Sequence, residues 1–299
     1  MLASFLFSFQ QQGVRFGARC AISRTRLGAW PRYTGLLCAA LLLASCLGAS
    51  PRGHSAELPE LDAQQLTWIA DQIFQNECNQ QIPCLTSWNV GEDFPSLGIG
   101  HFIWYRAGQQ ERFVESFPAL LGYFVMRGVP LPDWIAGLPG WDAPWPDREA
   151  FLSEQNSERM LQLREFLVET RAIQADFIVQ RMQDSLPGLM SASERPQAVS
   201  RQFYEVANAA APYGMYALID YVNFKGEGTS AAERYQGQGW GLLQVLEHML
   251  DHPDDSEVLV RFAAAARAVL AQRIANAPPE RGEERWRNGW NNRTLTYIP

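Results

Sequence analysis

The chain has 299 residues, 47% of them hydrophobic and 12% aromatic, which is enough to enclose a core in one domain or two small ones. Residues 1–45 contain five arginines and no Asp or Glu, so the remainder carries 20 basic and 32 acidic residues, a formal charge of −12. This acidity argues against nucleic acid as a partner, because such binding depends on neutralising phosphates. It also argues against a freely secreted enzyme that attacks a bulk anionic polymer.

The first 45 residues are typical of a targeting segment. Their arginines precede an apolar run, residues 35–46, which is shorter than the roughly 20 residues that a membrane span requires. The run ends in Leu-Ala-Ser-Cys46, which matches a bacterial lipobox, in which the cysteine becomes diacylated and N-terminal. The alternative is an ordinary signal peptide cleaved nearby, with Cys46 incidental. Lipidation would tether the protein to a membrane surface without a spanning helix.

The residues that follow Cys46 predict where the anchored protein is located. Leu47 rather than Asp comes next, and by resemblance to Gram-negative lipoproteins this favours the outer membrane, facing the periplasm. Residues 46–59 are small, Pro-bearing and aperiodic, so they predict a flexible tether. Residues 60–299 then form a single domain.

We predict that mature Cys46 is acylated. The motivation is the lipobox at the end of the apolar run. Mass spectrometry of the mature N-terminus measures this directly. An unmodified N-terminus at another residue would refute the prediction.

One segment, Trp68–Tyr105, organises the rest of the chain. A stripe of apolar residues at the helical period predicts a helix that ends at residues 76–78: Leu66, Ile69, Ile73 and Phe74. Turn residues at Asn89, Gly91 and Pro95 then predict a β-hairpin, which closes on Gly98-Ile-Gly-His101. A carboxylate at a helix end, followed by a polar hairpin, outlines a cleft.

This segment resembles the N-terminal part of phage-type lysozymes. In that family a helix ends in the catalytic Glu, and a small hairpin that crosses the cleft ends in Gly-Ile-Gly-His. The resemblance implies that Glu77 is the general acid and that His101 buttresses the fold. Ser96 stands where the family has a Thr in the cleft. The resemblance to phage-type lysozymes covers about 35 of the 299 residues.

The second carboxylate departs from the family's pattern. Counting back from the Gly-Ile-Gly-His motif, the family's catalytic Asp falls near Val90, and the neighbouring acids are Glu92 and Asp93. Glu92 and Asp93 are therefore candidate catalytic residues, although neither is in register.

Two cysteines remain in the folded part of the chain, Cys78 and Cys84. In an oxidising compartment such a pair predicts a disulfide, which would fix the helix end next to Glu77. Metal ligation by both thiols and His101 is the alternative, but it is an incomplete site. The sequence therefore predicts no metal site, and it predicts no cofactor.

The rest of the chain reads as helical, with no strand beyond the hairpin. Helices are predicted over residues 111–127, 194–210, 212–221 and 258–275. Residues 147–186 are predicted to form one long helix or two shorter ones, which Pro187-Gly188 ends. Residues 128–146 are too rich in proline for a helix. Their Trp134, Trp141 and Trp145 either stack on sugar rings or pack the loop onto the body.

The segment around Lys225, the only lysine, is the second unusual stretch. Asn223, Lys225 and Glu227 alternate with apolar residues and glycine, so an extended segment would place all three on one side of a cleft. Asn223 and Lys225 would bind substrate, and Glu227 is a further possible carboxylate. The alternative is a solvated loop with a Lys–Glu pair, which stabilises little.

Four residues nearer the C-terminus complete the candidate substrate contacts: Trp240, Gln244, Trp290 and Arg293. Gln244 follows Trp240 by one helical turn and so faces the same cleft. The polar and aromatic tail that contains Trp290 and Arg293 is the other candidate, because phage-type lysozymes also place arginines behind the cleft. A tail docked on the core is the alternative.

These observations predict a mostly α fold with a small β-hairpin, of lysozyme-like type. The expected function is cleavage of a β-linked amino-sugar polymer such as peptidoglycan, by hydrolysis or lytic transglycosylation, with Glu77 as the acid. Glycan and a membrane, through the lipid anchor, are the expected partners. The alternative is a non-catalytic envelope lipoprotein that binds glycan or a protein on the same scaffold, since fold does not decide function.

Overall fold

A capped helix begins the fold. In the computed structural model, which describes residues 57–111, 113–231 and 233–299, helix α1 spans Ala63–Cys78. Asp62 caps it, because its carboxylate accepts a hydrogen bond from the Gln65 amide at 2.8 Å and the Gln65 side chain accepts one from the Asp62 amide at 3.0 Å. Ile69 and Ile73 are fully buried, so the predicted apolar stripe is confirmed.

The predicted hairpin is a three-stranded antiparallel sheet. Its strands are β1 (Thr86–Ser87), β2 (Ser96–Leu97) and β3 (Phe102–Ile103), in that order. A second sheet pairs β4 (Arg234–Tyr235) with β5 (Gln238–Gly239), so the expectation of no further strand was wrong. Strands of two residues contain no alternating pattern, which is the signal that identifies a strand in a sequence.

Helices form most of the described chain, which confirms a mostly α fold with small antiparallel sheets. After α1 they are α2 (Phe117–Met126), α3 (Asp133–Ala136), α4 (Arg148–Ser153), α5 (Glu158–Glu169), α6 (Arg171–Ser191), α7 (Pro196–Ala207), α8 (Tyr213–Lys225), α9 (Leu242–Asp251), α10 (Val258–Asn276) and α11 (Arg287–Leu295). Helix α1 packs along α6, and α10 packs against α9 and α11. Among residues 57–111, 113–231 and 233–299, no helix is long and apolar enough to cross a membrane.

Two predicted helix boundaries were wrong. Helix α2 begins at Phe117 rather than near residue 111, because the residues before it are hydrogen bonded to strand β3. The Ile103 amide of β3 donates to Ser116 Oγ at 3.0 Å. Helix α6 continues through Pro187 to Ser191. Proline removes one backbone hydrogen bond there, and so close to the helix end that loss is tolerated.

The tryptophans of residues 128–146 pack onto the body of the protein. Trp145 is 1% exposed and meets the fully buried Trp104 edge-on, with ring centroids 5.7 Å apart. The Trp104 indole N–H donates to the Trp141 carbonyl at 2.5 Å. Burying large rings in this way stabilises the loop, so the packing interpretation holds for Trp145.

The Cys78–Cys84 disulfide is present, as predicted, with the two Cα atoms 5.5 Å apart. It joins the last residue of α1 to the 3₁₀ turn Ile82–Leu85 that leads into β1. Glu77 therefore lies at a helix end that is covalently tied to the sheet.

Removing the disulfide should affect the Glu77 site more than global stability. The loop that it closes is short, so a Cys78→Ser, Cys84→Ser double variant should lose about 2 kcal/mol or less of unfolding free energy. Urea titration measures this loss, and thiol titration of the wild type, extracted without reductant, should find neither cysteine free. Two free thiols would contradict the pairing.

Candidate functional site

Glu77 lies in the last turn of α1 and contacts two side chains from distant parts of the chain. The Arg293 guanidinium donates through Nη2 to Glu77 Oε1. Nε2 of His101 lies 3.7 Å from Glu77 Oε2, beyond hydrogen-bond distance. The Glu77 side chain is 18% exposed, so it is partly accessible to solvent.

The Gly98-Ile-Gly-His101 turn positions His101 by packing closely on α6. The Ile99 amide donates to the Gln174 side-chain oxygen at 3.0 Å, and Gln174 itself is fully buried. Gly98 has φ +69°, and a Cβ there would lie 2.4 Å from the same oxygen. Only glycine fits at that point, which gives the motif a physical reason.

Asp220 anchors Arg293 from inside the core. Arg293 Nε and Nη2 each donate to the Asp220 carboxylate at 2.8 Å. The same carboxylate accepts a hydrogen bond from the Tyr297 hydroxyl at 2.7 Å and one from the side-chain amide of Asn76 at 3.0 Å. Asp220 is 0% exposed, so these bonds compensate a fully buried charge. Arg293 therefore has its own counterion, independent of Glu77.

Sequence reasoning missed three residues of this network: Asp220, Asn76 and Tyr297. A signal existed for Asp220, because it is the only charged residue in residues 214–222 of α8, which are otherwise apolar or aromatic. A charge in such a run is almost never fully buried without a partner. The partner, Arg293, lies 73 residues away, so its identity could not be read locally.

Burial shapes the protonation of His101. Burial lowers the pKa of the imidazole, the Glu77 carboxylate opposes this, and the Arg293 guanidinium reinforces it, leaving the pKa below its usual value. Neither ring nitrogen makes a hydrogen bond within the described residues. Burial therefore favours the neutral imidazole beside the Glu77 carboxylate.

Lys225 is the last residue of α8, and the Phe224 ring contacts both Lys225 and Arg293 of the Glu77 cluster. Its side chain is 3% exposed, and Nζ lies 3.5 Å from the Trp290 ring centroid and 3.9 Å from that of Phe224. The Arg293 guanidinium lies 4.3 Å from the same Phe224 ring, and the Arg273 guanidinium 5.1 Å from Trp290. Cations and rings therefore alternate from Arg293 to Arg273.

Burial, followed by repulsion from Arg273 and Arg293, lowers the pKa of Lys225 well below its usual value, while Glu283 and Glu77 act in the opposite direction. Contact with the two aromatic faces opposes this shift, because a desolvated ammonium over a ring is favoured by about 2 kcal/mol or more. Burial of Lys225 therefore favours the neutral amine, and its ring contacts favour the ammonium.

A second buried ion pair, Arg273–Glu283, lies at the Arg273 end of this series of cations and rings. Arg273 donates to both carboxylate oxygens of Glu283, at 2.8 and 3.0 Å, and these side chains are 4% and 3% exposed. Arg281 donates to the same carboxylate at 3.1 Å, and so does the Tyr235 hydroxyl at 3.0 Å. Burial alone raises the pKa of Glu283, but these donors outweigh it, and the pKa lies below its usual value.

The extended geometry predicted around Lys225 was wrong. Helix α8 continues through Asn223 to Lys225, and the chain bends only at Gly226, with φ +83°. Tertiary packing of an almost fully buried helix overrides the alternation of polar residues. Asn223 and Lys225 consequently do not form one strand face with Glu227.

Trp240 and Gln244 hold the loop that follows α8. Gln244 accepts from the Gly241 amide at 2.9 Å and donates to the Gly228 carbonyl at 3.1 Å. Trp240 is 5% exposed, and its indole lies 4.1 Å from the Arg273 guanidinium. Both side chains are therefore committed to internal contacts rather than directed together at a cleft.

The remaining candidates, Glu92, Asp93 and Glu227, make no hydrogen bond to Glu77 among the described residues. Burial raises the pKa of Glu92, which accepts from the Asn89 amide at 3.2 Å. Burial also raises the pKa of Glu227. Ser96 in β2 is 0% exposed, so its hydroxyl is closed off from solvent.

Of the predicted site residues, the structure brings Glu77, His101 and Arg293 together. Lys225 and Trp290 contact each other and are linked to Arg293 through the Phe224 ring. The sulfur atoms of Cys78 and Cys84 and a ring nitrogen of His101 lie within 4.8 Å of one another. Both sulfurs are used by the disulfide, which favours the disulfide over metal ligation.

We predict that His101 supports the fold rather than the reaction. Replacing it with Ala should lower the melting temperature and leave turnover per folded molecule close to wild type, because the ring fills space beside Glu77 without a hydrogen bond. His101 has φ +47°, which Asn tolerates better than Ala, so His101→Asn is the matched control and should lose less stability. A stable variant whose activity falls by orders of magnitude would contradict this role.

Comparisons with known proteins add no assignment: no family model matches the chain, and neither a curated protein nor a solved structure matches it. Any function must therefore be argued from the geometry and from the sequence motifs.

Proposed function

We propose that this protein has a lysozyme-like fold and cleaves glycosidic bonds in a β-linked amino-sugar polymer, with peptidoglycan as the substrate. The supporting observation is that Glu77 is the partly exposed carboxylate of its cluster, whereas Asp220 is fully buried, and that it is held at a helix end beside the Gly-Ile-Gly-His turn. A carboxyl fixed in this way and partly accessible to solvent has the geometry that a general acid requires.

Asp220 supports this assignment through Arg293. Because the buried Asp220 neutralises the guanidinium with two hydrogen bonds of 2.8 Å, Glu77 is not needed as its counterion. Glu77 is then free to change charge during a reaction while the Asp220–Arg293 pair stays intact. Arg293 also donates to one Glu77 oxygen, which leaves the other oxygen for the substrate.

In the proposed step, protonated Glu77 transfers its proton to the glycosidic oxygen. The bond from that oxygen to the anomeric carbon breaks, and its electron pair stays on the oxygen. In hydrolysis, water attacks the anomeric carbon and its proton returns to Glu77. In transglycosylation, the C6 hydroxyl of the same sugar attacks instead, and the product is an anhydro sugar.

Asp220 is not available as a second catalytic carboxylate. Two-carboxylate glycosidases hold their acids about 5–9.5 Å apart across the bond that breaks. Asp220 is fully buried and hydrogen bonded to Arg293. Transglycosylation needs only one acid, which protonates the leaving oxygen and then accepts the proton of the C6 hydroxyl.

The test is digestion of purified peptidoglycan and of chitin oligomers, with mass spectrometry of the products. Release of fragments lighter by one water than the hydrolytic products indicates transglycosylation, and reducing-end sugars indicate hydrolysis. Binding of glycan without cleavage would refute an enzyme and favour the non-catalytic lipoprotein. The acidity of the chain outside residues 1–45 is the observation behind that second possibility.

We further propose that the protein acts at the outer membrane, facing the periplasm, through a lipid on Cys46. Cys46, the leader and the tether up to residue 56 lie outside the described residues. The sequence motif and the disulfide, which requires an oxidising compartment, support this location.

A further inference from the structure

A groove of about 490 Å³ is lined by residues of α3 and α5, none of which belongs to the Glu77 cluster. Leu131, Trp134 and Phe166 form its apolar part. Phe166 is 8% exposed, whereas Trp134 is only half-buried, so part of the indole is accessible from the groove. A volume of this size is sufficient for a small ligand. We call this region the Trp134 groove.

Three carboxylates line the same groove: Asp133 from α3, and Glu165 and Glu169 from α5. All three residues are exposed, and none of them forms an ion pair with any residue that the structure describes. Glu165 and Glu169 lie one helical turn apart, where like charges repel each other and weaken a helix. The lining includes no lysine, arginine or histidine. The Trp134 groove therefore carries an uncompensated negative charge.

Arg159, which lies close to Trp134, does not compensate this charge. Its guanidinium is 5.7 Å from the Trp134 ring centroid and 5.6 Å from that of Trp145. It donates to both carboxylate oxygens of Glu154, so its own charge is already paired. The Trp134 ring also packs against the rings of Trp104 and Trp145, with centroids 6.4 and 6.3 Å away. The groove thus combines an aromatic ring that is held by its neighbours with three unpaired carboxylates.

We propose that the Trp134 groove binds a glucosamine unit with a free ammonium group, its sugar ring against the Trp134 indole and its charge facing the three carboxylates. The C–H groups of a pyranose pack on an aromatic ring, whose negative face also attracts a cation. An N-acetylated sugar has no charge for the carboxylates to attract, and an anionic sugar is repelled. The proposal rests on the proposed function for the class of its ligand, an amino-sugar polymer, and adds a binding site to it.

The first test compares two oligomers of equal length, one of glucosamine and one of N-acetylglucosamine. Isothermal titration calorimetry measures both dissociation constants at about pH 6, where the free amine is an ammonium. The titrations use Glu77→Gln, so that neither oligomer is cleaved. Adding Glu165→Gln and Glu169→Gln should weaken binding of the glucosamine oligomer about tenfold, the effect of two exposed charge pairs. Binding of the N-acetylglucosamine oligomer should stay within about twofold. Equal losses for the two oligomers, or no loss for glucosamine, would overturn the proposal.

Glu158→Gln is the matched control, because it removes one carboxylate from the same helix but outside the groove. It should change binding of the glucosamine oligomer by less than about twofold, since an exposed charge at a distance is screened by salt. A loss as large as that caused by Glu165→Gln alone would show that the overall charge of the protein attracts the oligomer. The groove would then not be its site.

The second test removes the aromatic ring. Trp134→Leu keeps an apolar side chain against Trp104 and Trp145, and it should weaken binding of the glucosamine oligomer, because the sugar loses its stacking surface. Undiminished binding would contradict the proposal, and the carboxylate variants decide it independently if Trp134→Leu does not fold. A lysine oligomer of equal charge should bind more weakly than the glucosamine oligomer. Equal affinity would mean that the groove recognises positive charge rather than a sugar, which would also overturn the proposal. If the wild type cleaves no glycan, the proposed function fails, while these binding ratios still decide the ligand of the Trp134 groove.

Discussion

Replacing Glu77 with Gln should abolish measurable cleavage while leaving the protein folded. Gln keeps the size of the side chain and an oxygen that accepts from Arg293, but it has no proton to donate to a leaving oxygen. General acid catalysis contributes about 10²–10⁴-fold, and kcat should fall by that factor. Initial rates on purified peptidoglycan, measured for both proteins at equal folded concentration, give the ratio.

The melting temperature of Glu77→Gln should stay level or rise. Asp220 continues to compensate Arg293 through two hydrogen bonds, so the substitution removes only a partly exposed contact. Such contacts stabilise by about 1 kcal/mol or less. Loss of activity through unfolding is thereby excluded by the same experiment.

Asp71→Asn is the matched control for activity, because it neutralises a carboxylate of the same helix that pairs with Arg171 rather than Arg293. It should retain wild-type cleavage. If Glu77→Gln cleaves as well as wild type, the assignment is wrong, and the acid must be sought at Glu92 or Glu227.

Local sequence patterns predicted the part of the site around Glu77 but not the buried Asp220–Arg293 network. Helix α1, its end at Glu77, the disulfide and the tight turn at Gly98 follow from short-range patterns: helical periodicity, cysteine count and glycine chemistry. Each of these involves residues within about a dozen positions of one another. They were predictable because the forces that fix them are local.

The buried network depends on contacts across the whole chain. Arg293 meets Glu77 over 216 residues and Asp220 over 73 residues, and no local pattern specifies such pairs. The alternation at Asn223 and Lys225 predicted an extended segment, but the burial of α8 favoured a helix. Tertiary packing decided both cases, which is where propensity and periodicity carry least information.

Asp220→Asn should be among the most destabilising single substitutions in this protein. The change removes the fully buried charge that compensates Arg293, and Arg293 is itself only 12% exposed. Removing one partner of a buried ion pair typically costs about 3–5 kcal/mol, because the other charge is left buried and uncompensated. Here Glu77 remains as a weaker counterion, so we expect about 3 kcal/mol, read from urea titration.

Asp71→Asn is the matched control for stability. It makes the same substitution in the Asp71–Arg171 pair, whose side chains are 44% and 25% exposed and whose charges water screens. Its loss should be about 1 kcal/mol or less. If the two Asn variants lose equal stability, burial does not govern the Asp220–Arg293 pair, and the network as described is wrong.

Asp220→Asn should also impair catalysis in the molecules that remain folded. With Asp220 uncharged, Glu77 becomes the only anion among the described residues that hydrogen bonds to Arg293, so the guanidinium competes with the substrate for the Glu77 carboxylate. Cleavage per folded molecule should fall. Adding Arg293→Met to Asp220→Asn removes the orphaned cation, and buried ion pairs replaced by apolar side chains are often neutral in stability. The double variant should therefore be more stable than Asp220→Asn alone. A double variant that is less stable than Asp220→Asn would show that Arg293 stabilises the fold by itself, without its buried carboxylate.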